Sequence, residues 1–149
     1  MADHDAPRDL RKCKVLLIED ERIIREIIVR MLSRIGITEV TEAASAEAGW
    51  SYLVGEERRP FHVVITDLML PGISGGILLK HLRALPSPYT KKLPFIVLTG
   101  DTDVDTYRKV AGAGVSSYLI KPISADLLRS AIEKAVFAPV GEVKVSTAS

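Results

Sequence analysis

Five residues stand where short apolar runs stop: Glu19 and Asp20 after Lys14-Val-Leu-Leu-Ile, Asp67 after Phe61-His-Val-Val-Ile-Thr66, Thr99 closing Phe95-Ile-Val-Leu-Thr99, and Lys121 after Val115-Ser-Ser-Tyr-Leu-Ile120. Their types suggest one kind of chemistry if the fold brings them together. Three carboxylates at close range repel one another and bind protons more tightly unless a cation sits among them. A hard divalent ion suits them, and Mg²⁺ fits better than zinc because no Cys or His is placed to ligate softly. Beside such an ion a carboxylate can attack phosphorus, while the metal, an ammonium and a hydroxyl stabilise the transferring oxygens. Asp67 is central enough to be the nucleophile, with Lys121 as a point charge and Thr99 as a hydroxyl donor.

The elements that must position these residues are legible from periodicity. Lys14–Glu19 is predicted as a strand, and apolar residues at helical spacing from Arg22 to Ile35, stopped by Gly36, predict a helix. A weaker strand, 39–43, suits a sheet edge. A helix over 46–54 and a charged loop, 55–60, follow it. Strand 61–66 leads through the loop 68–75 to a helix ending near Ala84. A Pro-containing connection runs to Pro94, then come strand 95–99, helix 104–111, strand 115–120 and helix 125–137. Strict alternation of strand and helix predicts an α/β, doubly wound fold: a five-stranded parallel sheet covered on both faces. Ligands of such sheets bind beyond the carboxyl ends of the strands, where all five residues lie.

The 149 residues suit one domain, 12–138, with a disordered lead over 1–11 and a disordered tail or linker over 139–149. Twenty basic residues against nineteen acidic ones leave no footprint for nucleic acid or an anionic membrane. The single Cys13 excludes an internal disulfide. No signal peptide or long apolar run occurs, so a cytoplasmic protein is expected. His4, His62 and His81 lack ligand spacing and receive no role.

Four ordered motifs carry a family resemblance: Leu17-Ile-Glu-Asp-Glu21, Thr66-Asp-Leu-Met-Leu-Pro-Gly-Ile-Ser-Gly75, Leu98-Thr-Gly100 and Tyr118-Leu-Ile-Lys-Pro122. Over about Lys12 to Val136 the chain resembles the receiver domain of bacterial two-component response regulators, of the single-domain, chemotaxis-regulator-like type. The resemblance implies a flavodoxin-like sheet of strand order 2-1-3-4-5. It implies that Asp67 accepts a phosphoryl group from a histidine kinase or histidine phosphotransfer protein. It implies that Glu19, Asp20, Asp67 and the backbone carbonyl of Met69 hold Mg²⁺, and that the peptide bond before Pro122 is cis. Thr99 and Tyr118 would form a switch, the hydroxyl moving toward the phosphoryl group and the ring turning inward. The face made by helix 104–111, strand 115–120 and helix 125–137 would then change its affinity for a downstream protein, and activation can pair two copies. Three departures stand out: Glu19 where Asp is more usual, Gly100 where Ala is commoner, and a long connection, Leu85 to Pro94, with internal Pro86 and Pro88.

Singly, Asp20 or Glu21 reads as a helix cap, Asp67 as a turn residue and Lys121 as a solvated lysine. Convergence of all five favours chemistry. Two other functions compete. A Mg²⁺-dependent aspartyl-phosphate phosphatase or phosphotransferase of the haloacid dehalogenase-like type needs a second Asp two residues after the nucleophile, where this chain has Met69. A degenerate receiver acting as a constitutive interaction domain is opposed by the intact Asp67, Thr99 and Lys121. The expectation is a phosphoacceptor module, not an enzyme with an external product.

Overall fold

The computed structural model describes residues 6–100, 104–137 and 144–147. The expected disorder at 1–5, 138–143 and 148–149, and His4 with it, lies outside the described residues. Among the described residues six strands and six α-helices follow one another: β1 (Lys14–Ile18), α1 (Arg22–Ile35), β2 (Glu39–Ala43), α2 (Ala46–Val54), β3 (Val63–Asp67), α3 (Gly75–Arg83), α4 (Pro88–Lys92), β4 (Phe95–Thr99), α5 (Val104–Gly112), β5 (Ser117–Ile120), α6 (Ala125–Phe137) and β6 (Lys144–Thr147). All strand pairs are parallel and the order is β2-β1-β3-β4-β5-β6, so the expected 2-1-3-4-5 sheet is present.

Side-chain alternation along the strands divides the core in two. Leu16, Ile18, Val64, Val97 and Tyr118 pack with Leu53, Leu79 and Val110 from α2, α3 and α5. Val15, Leu17, Ile65, Ile96 and Leu119 face the other way, against Ile28 and Leu32 of α1 and Leu128 and Ile132 of α6. Because both sides are covered, the central strands read as continuous apolar runs. β2, the edge strand, is only half buried.

The helices begin and end where local chemistry dictates. Ser45 and Ser74 cap α2 and α3, their hydroxyls accepting from the Ala48 and Ile77 N–H groups at 3.1 and 3.2 Å. Gly36, at φ 103°, ends α1 with its N–H turned back to the Leu32 and Ser33 carbonyls. Cys13 is fully buried, which pushes its thiol up to about 12 and leaves it a packing residue.

Three expectations are corrected. The lead is not disordered throughout: Asp9 caps a 3-10 turn at Leu10–Lys12, and Leu10 packs on the core. The connection from Leu85 to Pro94 contains α4, because Pro88 sits in the first turn, where its missing N–H costs nothing. Arg83 ties that connection down, donating to the carbonyls of Thr90 and Gly114 at 2.8 and 2.9 Å. Finally, the tail contributes β6, whose Lys-Val-Ser-Thr sequence holds two β-branched residues suited to an edge strand.

Candidate phosphoacceptor site

Strand register sets the site. Ile18 lies opposite Thr66, so Glu19 follows beside Asp67 at the mouth between β1 and β3, where the winding of the sheet reverses. Asp67 is aligned with Leu98 and Thr99 with Ile120, which places Thr99 and Lys121 next along the same rim. The Lys121–Pro122 peptide is cis, and the Lys121 N–H donates to the Thr99 carbonyl at 2.8 Å.

Ligand oxygens of Glu19, Asp20 and Asp67 lie within 4.8 Å of one another. Asp67 is 7% exposed and Glu19 1%. The Asp67 carboxylate is held at both oxygens: Oδ1 accepts from the Met69 N–H at 2.9 Å and Oδ2 from Lys121 Nζ at 2.8 Å. Lys121 Nζ also lies 3.5 Å from Glu19 Oε1. Glu19 Oε2 accepts from the Glu21 N–H at 3.0 Å, but its buried Oε1 has no hydrogen bond.

The electrostatics follow from this crowding. Burial, with the Asp67 charge adding to it and the Glu21 N–H opposing it, pushes the Glu19 carboxyl up to about 7. For Lys121, burial works against the charge, but the hydrogen bond and attraction from Asp67, with Glu19 assisting, outweigh it and raise its proton affinity. A buried carboxylate oxygen lacking a hydrogen-bond donor, next to two further carboxylates, is a donor set that fits a hard divalent cation.

Glu19, Asp20, Asp67, Thr99 and Lys121 stand along this rim, with Met69 on the loop after Asp67, and two positioning residues emerge that sequence reasoning missed. Arg25 donates to the Glu19 carbonyl at 2.7 Å and pairs with Glu42 at 3.1 Å, fixing the turn that carries Glu19 and Asp20. Gly75 starts α3 so close to the site that a Cβ there would lie 2.5 Å from the Asp67 carbonyl oxygen. Glu21 stands at the N-cap position of α1, as a cap reading expects, but its side chain makes no capping hydrogen bond. His62 has a structural part, its Nδ1 accepting from the Lys14 N–H at 2.9 Å.

Tyr118 departs from the expected geometry. The ring is already inside, 1% exposed, and meets Tyr107 of α5 edge to face with centroids 5.3 Å apart. Strand alternation points it at α5, so an inward turn has no exposed ring to start from in this conformation.

A family model described as the response regulator receiver domain matches residues 15–133. The chain is 32% identical over 126 residues to the probable chemotaxis protein CheY of Rhizobium etli, covering 85% of this chain and 93% of that protein. It is 33% identical over 121 residues to the chemotaxis protein CheY of Pseudomonas aeruginosa, covering 81% and 94%. Among solved structures, a response regulator receiver domain protein from Clostridium thermocellum superposes with a TM-score of 0.74 at 31% identity, covering 84% of this chain and 94% of the other.

Proposed function

The chain belongs to the response regulator receiver-domain family, and from that premise we propose that Asp67 is its phosphoacceptor. The observation that carries this reading is the Asp67 carboxylate, nearly buried, gripped by Lys121 at 2.8 Å and ringed by Glu19 and Asp20. The group comes from a phosphohistidine on a histidine kinase or phosphotransfer protein. Its P–N bond breaks as a P–O bond forms to Asp67, and the imidazole leaves. Lys121 holds positive charge beside the incoming oxygens, and Thr99, buried at the end of β4, supplies a hydroxyl donor. Glu19, Asp20, Asp67 and the Met69 carbonyl would hold Mg²⁺, which would supply positive charge against the carboxylates and the phosphoryl oxygens.

The product stays on the protein, so the output is a change of protein contacts and not a released metabolite. That output runs through the face of α5, β5 and α6, with Thr99 and the Tyr107–Tyr118 pair linking it to Asp67, and activation can pair two copies there. The haloacid dehalogenase-like alternative gains nothing from the geometry, since the side chain at its acid–base position, Met69, is a thioether. Among the described residues no helix is long and apolar enough to cross a membrane, and a cytoplasmic setting fits a kinase partner.

Incubation with Mg²⁺ and a small acyl phosphate tests the assignment. Intact-mass analysis is expected to show a single phosphoryl adduct that is absent in Asp67→Asn. An adduct of equal yield in that variant would refute it.

A further inference from the structure

A groove runs between α3 and α5, and the Met69, Ile77, Lys80 and Lys109 side chains that line it have no role in the function above. Its floor is Leu68 and Val110, both buried, and its walls carry Met69 and Ile77, 65% and 45% exposed. Lys80 and Lys109 line it as well, both exposed, and among the described residues neither makes an ion pair or a side-chain hydrogen bond. Exposed apolar side chains flanked by uncommitted cations are a costly surface to leave facing water, and they match an occupant with the opposite arrangement. The space, about 350 Å³, is near the lower limit of about 300 Å³ for pockets that enclose a small ligand. It suits the apolar side chains of a docked segment better than a cofactor. Two lysines with no aromatic platform beside them do not make a nucleic-acid groove.

We propose that this groove docks an acidic amphipathic segment of a partner protein, with apolar side chains against Met69 and Ile77 and carboxylates on Lys80 and Lys109. We infer further that its affinity responds to the state of Asp67. That coupling rests on the phosphoacceptor reading. The Met69 N–H that positions one groove wall donates to Asp67 Oδ1, and the neighbouring Leu68 carbonyl accepts from Gly75 at 3.2 Å. A group placed on Asp67 changes the acceptor that holds the wall.

The probe is a short fluorescein-labelled helical peptide with Leu along one face and Glu on the flanks, beside a control with Lys in place of Glu. Fluorescence anisotropy on the full chain is expected to show the acidic peptide binding at least about tenfold more tightly than the basic one, an advantage that shrinks with added salt. The Lys80→Glu, Lys109→Glu double variant and Ile77→Asp, all at exposed positions, are each expected to weaken it by about tenfold. Amide NMR shifts should centre on Leu68, Ile77 and Val110. Equal binding of the two peptides, undiminished binding in both variants, or shifts centred on β5 and α6 would overturn the docking site. Addition of Mg²⁺ and beryllofluoride, with occupancy at Asp67 read by fluorine NMR, is expected to change peptide affinity at least about threefold. Full occupancy with unchanged affinity would overturn the coupling alone. Failure of beryllofluoride to bind would instead count against the phosphoacceptor reading and the coupling with it, leaving the docking site to stand or fall on the peptide titration.

Discussion

Glu19 is the residue at which proton and metal chemistry meet. Its carboxyl is pushed up to about 7 by burial and by the Asp67 charge, and only the ionised form can ligate a cation. Below that value a proton must leave before the ion enters. Mg²⁺ affinity is therefore expected to fall by up to about tenfold per pH unit below 7 and to level off above it, and calorimetry in buffers of different ionisation enthalpy should detect the released proton near pH 6. Glu19→Gln should weaken binding and flatten this profile; an unchanged profile in that variant would place the titration elsewhere. The effect on the metal-free fold follows the same sign. An acid whose folded value lies above its ordinary 4.5 favours the fold while protonated, so that contribution is present below about 4.5 and is lost as pH rises through 7. Denaturant melts from pH 4.5 to 7.5 are expected to show this loss in the parent chain and a smaller one in Glu19→Gln. The acids, Thr99 and Lys121 were legible because each stops an apolar run at the same end of a parallel sheet. Arg25 was not, because an arginine near the start of an amphipathic helix looks solvated until the fold brings it to the Glu19 carbonyl.

At the scale of elements, α3 is set against the site by close approach. At Gly75 a Cβ would meet backbone, the Asp67 carbonyl oxygen at 2.5 Å, and backbone cannot swing aside as a side-chain tip can. Gly75→Ala is expected to cost about 1 to 3 kcal/mol by overpacking and to shift the start of α3 away from Asp67, slowing phosphorylation. One residue on, the nearest atom to a Cβ at Gly76 is a Leu68 methyl at 3.5 Å, an ordinary contact. Gly76→Ala should then stabilise the helix by about 0.5 to 1 kcal/mol. Urea unfolding of the pair distinguishes a glycine required by packing from one that is not, and equal effects would remove the argument for Gly75. Sequence periodicity found α1, β4 and α6 at their observed limits because each has a clear stop, a cap or an unbroken apolar pattern. It placed the starts of β3 and β5 two residues early, since Phe61 and Val115 are buried before ladder pairing begins. It missed α4 because two prolines within three residues look like coil, although the second starts a helical turn.

For the whole molecule, the sixth strand changes what the sheet presents. A five-stranded sheet would end at β5 with a row of unpaired N–H and C=O groups, the usual template for pairing with another chain. Here β6 pairs with all four residues of β5, from Ser117 opposite Lys144 to Ile120 opposite Thr147. This strand was illegible because four residues are too few for a periodic signal and their partner is fixed only by tertiary structure. Its presence bears on how two copies could meet: they can use the surfaces of α5 and α6, but not the β5 edge unless β6 leaves. In a parallel ladder alternate residues direct their N–H groups to opposite sides, so the Val145→Pro, Ser146→Pro double variant removes a donor to β5 whichever residue faces it. Hydrogen exchange is expected to accelerate at β5 amides while β1 and β3 keep their protection, and sedimentation should show more self-association in the variant than in the parent chain. Unchanged exchange across Ser117–Ile120 would mean that β6 contributes nothing to the protection of that edge, and the edge would then be open to a partner strand in the parent chain as well.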